Sequence, residues 1–238
     1  MPLHIAFDDL TYLLQRCEVT TVRATREEPE YEKGSVVPSG PWMPITEADG
    51  LSLAAPACTP AATLVEIVRP PAPRTGALEH LATPLGDENT QYLGQSLARP
   101  NMMTTTQNYQ DGKLIGLHVD NWDKLSHGQK PHGRRRLALN LGPGARYLIV
   151  GALDAQAVGR AVHPDDFALR HPSTDDYREH VAAGHPVSVY RIRLAPGEGY
   201  MAPTEYLLHD GSTEGEDRPS AAAFWPGRWT SKILPSLI

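Results

Sequence analysis

Cysteine is scarce in this chain of 238 residues, and its scarcity excludes two classes of protein. Cys17 and Cys58 are the only cysteines. Two thiols are too few for the disulfide scaffold of a small secreted domain, and their spacing is not that of a zinc site. We expect both to be free thiols, buried or partly buried, in a reducing cytoplasm.

Long apolar runs and basic patches are missing too. No run approaches the roughly 18 residues that a membrane-spanning helix needs, and the N-terminus has acids where a secretory signal carries bases and apolar residues. The net charge is −6, and the only basic run, Arg134-Arg135-Arg136, opens an apolar stretch, as at a strand edge. We therefore expect a cytoplasmic protein that binds neither membranes nor nucleic acid.

The length suits one domain over residues 1–238, and 22 prolines with 20 glycines favour short strands and turns over long helices. Over residues 1–100 the sequence predicts helices and extra strands. The helices are FDDLTYLLQRCE, capped by Asp8 or Asp9, a second one capped by Thr75, and ENTQYLGQSLA. The strands are VTTVRAT and ATLVEIVR, and residues 34–60 are predicted to be a long loop.

Over residues 101–238, strands follow one another with turns between them. A polar, partly helical insertion at 156–185 interrupts this series. Seven short strands with tight turns predict a mainly β fold, a double-stranded β-helix (jelly roll) with a few helices packed on one sheet. The predicted strands are MTTTQNY, KLIGLHV, RRLALNL, RYLIVGAL, VSVYRIRL, GYMAPTEYLLH and SAAAFWP.

A His-x-Asp triplet occurs twice, as His118-Val-Asp120 and as His163-Pro-Asp165. Alternate residues of a strand point to the same face, so His118 and Asp120 can face one metal ion if GLHVD is extended. His163 lies in a polar segment that a proline interrupts, where this geometry is less secure. The sequence therefore favours His118 and Asp120 as a pair of metal ligands.

His209 is the candidate third ligand, because it ends the apolar run YMAPTEYLL and its strand is buried while its tip reaches an opening. A core histidine satisfied by its neighbours is the alternative. Two histidines and one carboxylate form the ligand set of a facial-triad iron(II) site with open positions. The other distal histidines lie in the polar insertion and are expected on the surface: His171, His180 and His185.

Arg218 and Ser220 follow His209 and would share one face of the predicted strand SAAAFWP and its approach. A buried guanidinium is costly unless it is paired. A carboxylate ligand held by Arg218, with help from the Ser220 hydroxyl, would compensate. A structural salt bridge from Arg218 to Glu205 or Asp217 is the alternative.

NYQDGKLIGLHVDN and HDGSTEGEDRPSAAAFW resemble the strands of iron(II)/2-oxoglutarate-dependent oxygenases that carry His-x-Asp and the distal His, followed nine residues later by Arg. RRRLALNLG resembles the strand between them, and the match covers about residues 104–228. The resemblance implies that His118, Asp120 and His209 hold Fe(II). It also implies that 2-oxoglutarate and O2 bind at the open positions, with oxidative decarboxylation to succinate and CO2.

The resemblance further implies that Arg218 and Ser220 bind 2-oxoglutarate. Tyr109 is a candidate donor to the cosubstrate or a core residue, and Asn140 is a candidate or a bulge residue. Asp120 favours hydroxylation or desaturation, because halogenating relatives replace this carboxylate with a small residue. The expected mouth of the substrate site is Asn121, Trp122 and Asp123.

The expected function is hydroxylation of a peptide or another small-molecule natural product. Two alternatives stay open. One is an oxidase of the same fold that uses no 2-oxoglutarate, in which Arg218 and Ser220 hold the substrate's own carboxylate. The other is a cupin-like metal-binding protein or isomerase with no oxygen chemistry.

Overall fold

Two β-sheets and four α-helices form most of the regular structure in residues 3–70, 78–85 and 87–238, which the computed structural model describes. The strands are β1 His4–Ala6, β2 Cys17–Ala24, β3 Val36–Pro44, β4 Leu64–Val68, β5 Gly94–Ala98, β6 Arg135–Pro143, β7 Arg146–Asp154, β8 Ser188–Leu194, β9 Gly199–Ala202, β10 Leu207–Ser212 and β11 Ser220–Gly227. The α-helices are α1 Leu10–Arg16, α2 Glu47–Leu53, α3 Ala155–Val162 and α4 Thr174–Ala182. Within those ranges, no helix is long and apolar enough to cross a membrane.

The six-stranded sheet has the order β1-β4-β9-β6-β11-β5, and the five-stranded sheet has the order β10-β7-β8-β2-β3. Among the paired strands, β1 and β4 are parallel and the others are antiparallel. One apolar core joins residues of both sheets, including Val65 and Ile67 of β4 with Leu148 of β7 and Ile192 of β8. The fold is therefore mainly β, as predicted, and is compatible with a β-sandwich.

Helices α3 and α4 pack on the other face of the five-stranded sheet. Val158 of α3 and Tyr177 of α4 share a buried cluster with Ile149 of β7 and Val189 of β8. Both helices lie within or beside the insertion at 156–185 that the sequence predicted to be partly helical. That face of the sheet is thus covered, which leaves the opposite face for the core between the sheets.

Several local predictions are confirmed. The carboxylate of Asp9 accepts a hydrogen bond from the Thr11 amide at 2.8 Å and caps α1, which buries Leu13. VTTVRAT and ATLVEIVR lie in β2 and β4, and four of the seven later segments form β6, β7, β8 and β11. Thr75 lies outside the described residues.

Other predictions for the first hundred residues are wrong. Residues 34–60 contain β3 and α2 rather than a long loop, and α2 starts with a reciprocal capping box between Thr46 and Asp49. ENTQYLGQSLA contains strand β5 rather than a helix, because Gly94–Ala98 pairs with β11. Pairing with a neighbouring strand outweighs the weak helical preference of this segment.

Two predicted strands before the site do not form regular strands. MTTTQNY and KLIGLHV contain only isolated bridges, among them Leu117 with Val36 and His118 with His209. Gly116 has φ of +71°, and a Cβ there would lie 2.5 Å from the Val36 carbonyl oxygen, so this close crossing requires glycine. The segment KLIGLHV therefore lies between the start of β3 and strand β10 and contacts both.

GYMAPTEYLLH is not one strand but two. It divides at Pro203 into β9, which belongs to the six-stranded sheet, and β10, which belongs to the five-stranded sheet. Proline has no backbone N–H to donate to a neighbouring strand, so Pro203 indicates this break in the sequence itself. The change of sheet brings the end of β9 and the start of β10 beside the segment that carries His118.

Candidate metal centre

His118, Asp120 and His209 form one buried group whose potential ligand atoms all lie within 4.8 Å of one another. Nε2 of His118 lies 3.9 Å from Oδ1 of Asp120, and Nε2 of His209 lies 3.7 Å from Oδ2 of the same carboxylate. The centroids of the two imidazole rings are 4.5 Å apart. The structure thus brings together the three side chains that the sequence selected as metal ligands.

The backbone explains how these side chains meet. Leu117 and Val119 belong to the cluster beneath α3 and α4, so the alternate residues His118 and Asp120 face the opposite way. The amides and carbonyls of His118 and His209 exchange two hydrogen bonds, at 3.0 and 2.8 Å. The pairing of β10 with β7 also shifts register between Leu207 and His209, an irregularity of the kind that re-aims side chains near active sites.

Both imidazole rings are oriented by backbone carbonyls. Nδ1 of His118 lies 3.0 Å from the Gly116 oxygen, and Nδ1 of His209 lies 3.2 Å from the Leu207 oxygen. A carbonyl only accepts, so each Nδ1 carries the proton and each Nε2 keeps a lone pair, as in metal-binding histidines. Nε2 of His209 is buried and has no hydrogen-bond partner.

The electrostatics keep these groups in the protonation states that metal binding requires. Burial, reinforced by the His118 ring, lowers the pKa of His209 to about 3. Burial opposes ionisation of Asp120, but Arg136 and then the two histidines outweigh it and hold the pKa of Asp120 at about 2. His209 is therefore a neutral imidazole and Asp120 a carboxylate, which is the ionisation that a bound divalent metal needs.

Asp210 lies behind His118 and was not selected from the sequence. Its Oδ2 is 3.8 Å from Nδ1 of His118, and its Oδ1 accepts hydrogen bonds from the Thr106 hydroxyl at 2.8 Å and the Gly211 amide at 2.6 Å. Burial raises the pKa of Asp210. A carboxylate behind a metal-binding histidine is a common supporting feature.

A cavity of about 310 Å³ adjoins His209 and lies between the two sheets. Its wall includes β6, β9 and β11 from one sheet and β7 and β10 from the other. The polar side chains that line it include Arg136, Arg146, Tyr200, Thr105 and Asp210. A partly open cavity with two guanidinium groups suits a small anionic ligand.

Arg146 is a buried cation that forms no salt bridge with a described residue, although the nearby Tyr200 and Asp210 oppose the lowering of its pKa by burial. It is 5% exposed, makes no ion pair with any residue that the structure describes, and has an Nη1 with no hydrogen-bond partner. Its Nη2 lies 3.4 Å from the Thr105 hydroxyl, and burial lowers the pKa of Arg146. A buried guanidinium in this state is costly unless a ligand pairs with it.

The alternation of β7 indicates the buried position of Arg146 from the sequence. Arg146, Leu148 and Val150 alternate along β7, and both apolar residues belong to the core between the sheets. Arg146 therefore lies on the core face of a buried strand. The same period relates Arg136 to Ala138 on β6, although the sequence predicted only a strand-edge role for Arg136.

The structure does not bring Arg218 or Tyr109 to this cavity. Arg218 is exposed in the bend before β11, which starts at Ser220, so the strand alternation assumed for it does not apply. Tyr109 is 93% exposed and is not a core residue. Ser220 is buried with its hydroxyl unpartnered, but it does not line the cavity.

The other candidates have structural partners. The Asn140 amide donates to the Gly144 and Leu194 carbonyls and accepts from the Gly142 amide, so it holds the turn after β6, although it also borders the cavity. The three residues that follow Asp120, which were expected at the mouth of the substrate site, do not line the cavity. Asn121 accepts a hydrogen bond from Lys130, Asp123 pairs with Arg134, and Trp122 is half exposed.

The second His-x-Asp triplet is not part of the metal group. Nε2 of His163 lies 3.0 Å from Oδ1 of Asp176, which ties the end of α3 to α4, while Asp165 is exposed. Among the histidines of the insertion, His171 and His185 are exposed as predicted. His180 is buried against His185, with ring centroids 4.7 Å apart, so the prediction of a surface position is wrong for His180.

Comparison with known proteins found no relative of this chain. No protein-family model matches it, and no curated protein matches it.

Proposed function

We propose that this protein is an iron(II)- and 2-oxoglutarate-dependent oxygenase with a jelly-roll fold, acting as a hydroxylase on a small-molecule or peptide substrate. One observation carries the proposal: His209, a member of the buried His-Asp-His group, and the buried Arg146, which forms no salt bridge with a described residue, line the same cavity. The first is a metal-ligand set with open positions, and the second is an anchor for a carboxylate.

The donor set fits ferrous iron. Two neutral imidazoles and one carboxylate bind Fe(II) well, and the unpartnered Nε2 of His209 is a buried acceptor that a metal ion would satisfy. His118, Asp120 and His209 would hold the ion. When bound, Fe(II) supplies the activation of O2 that couples decarboxylation of 2-oxoglutarate to oxidation of the substrate.

Arg146 takes the anchoring role that the sequence assigned to Arg218. Its free Nη1 offers a donor to a carboxylate inside the cavity, whereas Arg218 is exposed outside it. A planar guanidinium can bind a carboxylate with two parallel hydrogen bonds. We propose that Arg146 holds the carboxylate of 2-oxoglutarate that is remote from the metal.

The rest of the cavity orients the ligand and limits the entry of water. The cavity lies between the two sheets and is only partly open, so the buried charges that line it act in a medium less polar than water. Asp120 supports hydroxylation or desaturation, because a carboxylate ligand occupies the position that a halide would need. A cavity of about 310 Å³ is small for a cosubstrate and a whole large substrate together, so we propose that only the reacting part of the substrate enters it.

Succinate formation tests the proposal. Purified protein is incubated with Fe(II), ascorbate, 2-oxoglutarate and air, and succinate, CO2 and O2 uptake are measured. We expect slow iron-dependent succinate release in wild type and in Asp165→Ala, the variant of the second triplet, but none in Asp120→Ala. O2 uptake with a candidate substrate but without succinate would indicate the oxidase, in which Arg146 holds the substrate's carboxylate. Metal binding with no O2 uptake would indicate the cupin-like protein.

A further inference from the structure

We infer that Arg136 is a positioning residue of the metal centre, which holds one oxygen of Asp120 and leaves the other for the metal. Its Nη2 lies 2.5 Å from Oδ2 of Asp120, and both side chains are largely buried. Both oxygens face a histidine, since Oδ1 lies 3.9 Å from Nε2 of His118 and Oδ2 lies 3.7 Å from Nε2 of His209, but only Oδ2 also contacts Arg136. The two oxygens of this carboxylate therefore have different environments before any metal binds.

Arg136 is the fixed member of this pair. It lies on β6, between β9 and β11, where it is in register with Ala202 on one side and Pro226 on the other. Its guanidinium also lies over the Phe224 ring, 5.4 Å from the centroid, and interacts with the Tyr200 phenol. Asp120 lies in a segment with no regular strand. The sheet thus positions the ligand, and not the reverse.

Holding one oxygen has a consequence for coordination. A carboxylate that binds through both oxygens occupies two of the six positions of an octahedral ion, and one that binds through a single oxygen occupies one. With two histidines, single-oxygen binding leaves three open positions, whereas chelation by Asp120 leaves two. Arg136 competes for Oδ2 and so favours three open positions.

The two neighbouring arginines have different partners. Arg134 pairs with Asp123 at 2.7 Å, in the same segment as Asp120 but not in the metal group. Arg135 faces away and pairs with the buried Glu66. Each of the three arginines in the run therefore pairs with a different carboxylate. Arg134 supplies a matched control for Arg136.

Bound Mn(II) provides a test that needs neither turnover nor 2-oxoglutarate. The inference rests on the metal site of the proposed function but not on its cosubstrate. Proton relaxation of water reports how many exchangeable water molecules a bound Mn(II) ion carries. The experiment compares wild type, Arg136→Gln, Arg136→Lys and Arg134→Gln, each saturated with Mn(II) and checked for folding by circular dichroism.

We expect the relaxation enhancement of Arg136→Gln to fall by about one third relative to wild type. Chelation by Asp120 would occupy one more of the six coordination positions, so the number of exchangeable waters would fall from three to two. Arg134→Gln should match wild type, and Arg136→Lys should lie between, because an ammonium makes a less directional contact. An enhancement in Arg136→Gln equal to that of wild type would overturn the inference. If Arg136→Gln does not fold, the same criterion applies to Arg136→Lys. Failure of wild type to bind Mn(II) would instead refute the metal site itself.

Discussion

The guanidinium of Arg146 lies directly over Gly211, where a Cβ would come within 2.4 Å of its Nη2. Gly211 follows His209 by two residues on β10, so the proposed anchor and a proposed metal ligand are positioned by the same strand pair. A guanidinium with a free Nη1 is thereby held near His209 without a salt bridge to any described residue. This relationship links the proposed metal site to the proposed cosubstrate site.

Arg146→Ala should weaken 2-oxoglutarate binding severely and leave metal affinity nearly unchanged. Losing a charge-assisted pair in a desolvated site costs about 2–5 kcal/mol, or roughly 30- to 5,000-fold in affinity. The measurement is a titration of the anaerobic Fe(II) protein with 2-oxoglutarate, followed by the metal-to-ligand absorption band. Arg218→Ala is the control and should bind as wild type does. The reverse result, loss in Arg218→Ala alone, would restore the assignment made from the sequence.

Gly211→Ala should reduce 2-oxoglutarate affinity in the same titration, because the added methyl group must displace the Arg146 guanidinium. The expected loss is smaller than for Arg146→Ala, since a flexible side chain can move aside. Gly128→Ala is the control, because a Cβ at Gly128 meets nothing within 4 Å. Gly215→Ala is less suitable, because Gly215 has φ of +81° and alanine would strain the backbone there. Unchanged affinity in Gly211→Ala would argue against a fixed position for Arg146.

Arg135→Ala should destabilise the fold without changing metal binding. Arg135 is buried, pairs with Glu66 and donates to the Trp229 carbonyl, so its removal leaves a buried carboxylate without its counter-ion. Breaking a buried pair in this way costs about 3–5 kcal/mol. Urea denaturation measures the loss, with Arg170→Ala as the control, because the ion pair of Arg170 with Asp166 is exposed. A loss below 1 kcal/mol (about the value of a surface pair) would contradict this reading.

The two thiols should differ in reactivity and in their effect on alkaline stability. Cys58 is exposed and should react with a thiol reagent at pH 8, whereas Cys17 should react only after unfolding. Burial raises the pKa of Cys17 from 9.0 to about 12. The folded thiol therefore keeps its proton where the unfolded thiol loses it. Stability from this source is complete below pH 9 and is lost between pH 9 and 12. Cys17→Ala should show a shallower loss of stability over that range, measured by urea denaturation at several pH values.

Local patterns were enough to single out His118, Asp120 and His209, although the bridge that brings His118 beside His209 joins distant segments. Alternation in an extended segment sets the direction of the first two, and the apolar run before His209 sets its burial. The prediction that Arg218 shares a strand face with Ser220 is wrong, because β11 begins only at Ser220. The same alternation rule applied to RYLIVGAL would have found Arg146.

Contacts between distant segments account for the remaining errors. ENTQYLGQSLA has a helical composition, yet β5 forms there because β11 offers it a partner. The isolated bridges that place Leu117 and His118 depend on Val36 and His209, which no local pattern around KLIGLHV indicates. The ion pair of Arg136 with Asp120 likewise joins a strand of one sheet to a segment beside the other.

The most direct test of the central claim is the number of ferrous ions that the purified chain binds under anaerobic conditions. We predict one tightly bound Fe(II) per chain in wild type and in His163→Ala, whose ring contacts Asp176 instead of the metal group. His118→Ala, Asp120→Ala and His209→Ala should each lose this ion while keeping the circular dichroism spectrum of wild type. Wild type with no bound iron, or His209→Ala with a full equivalent, would contradict the account.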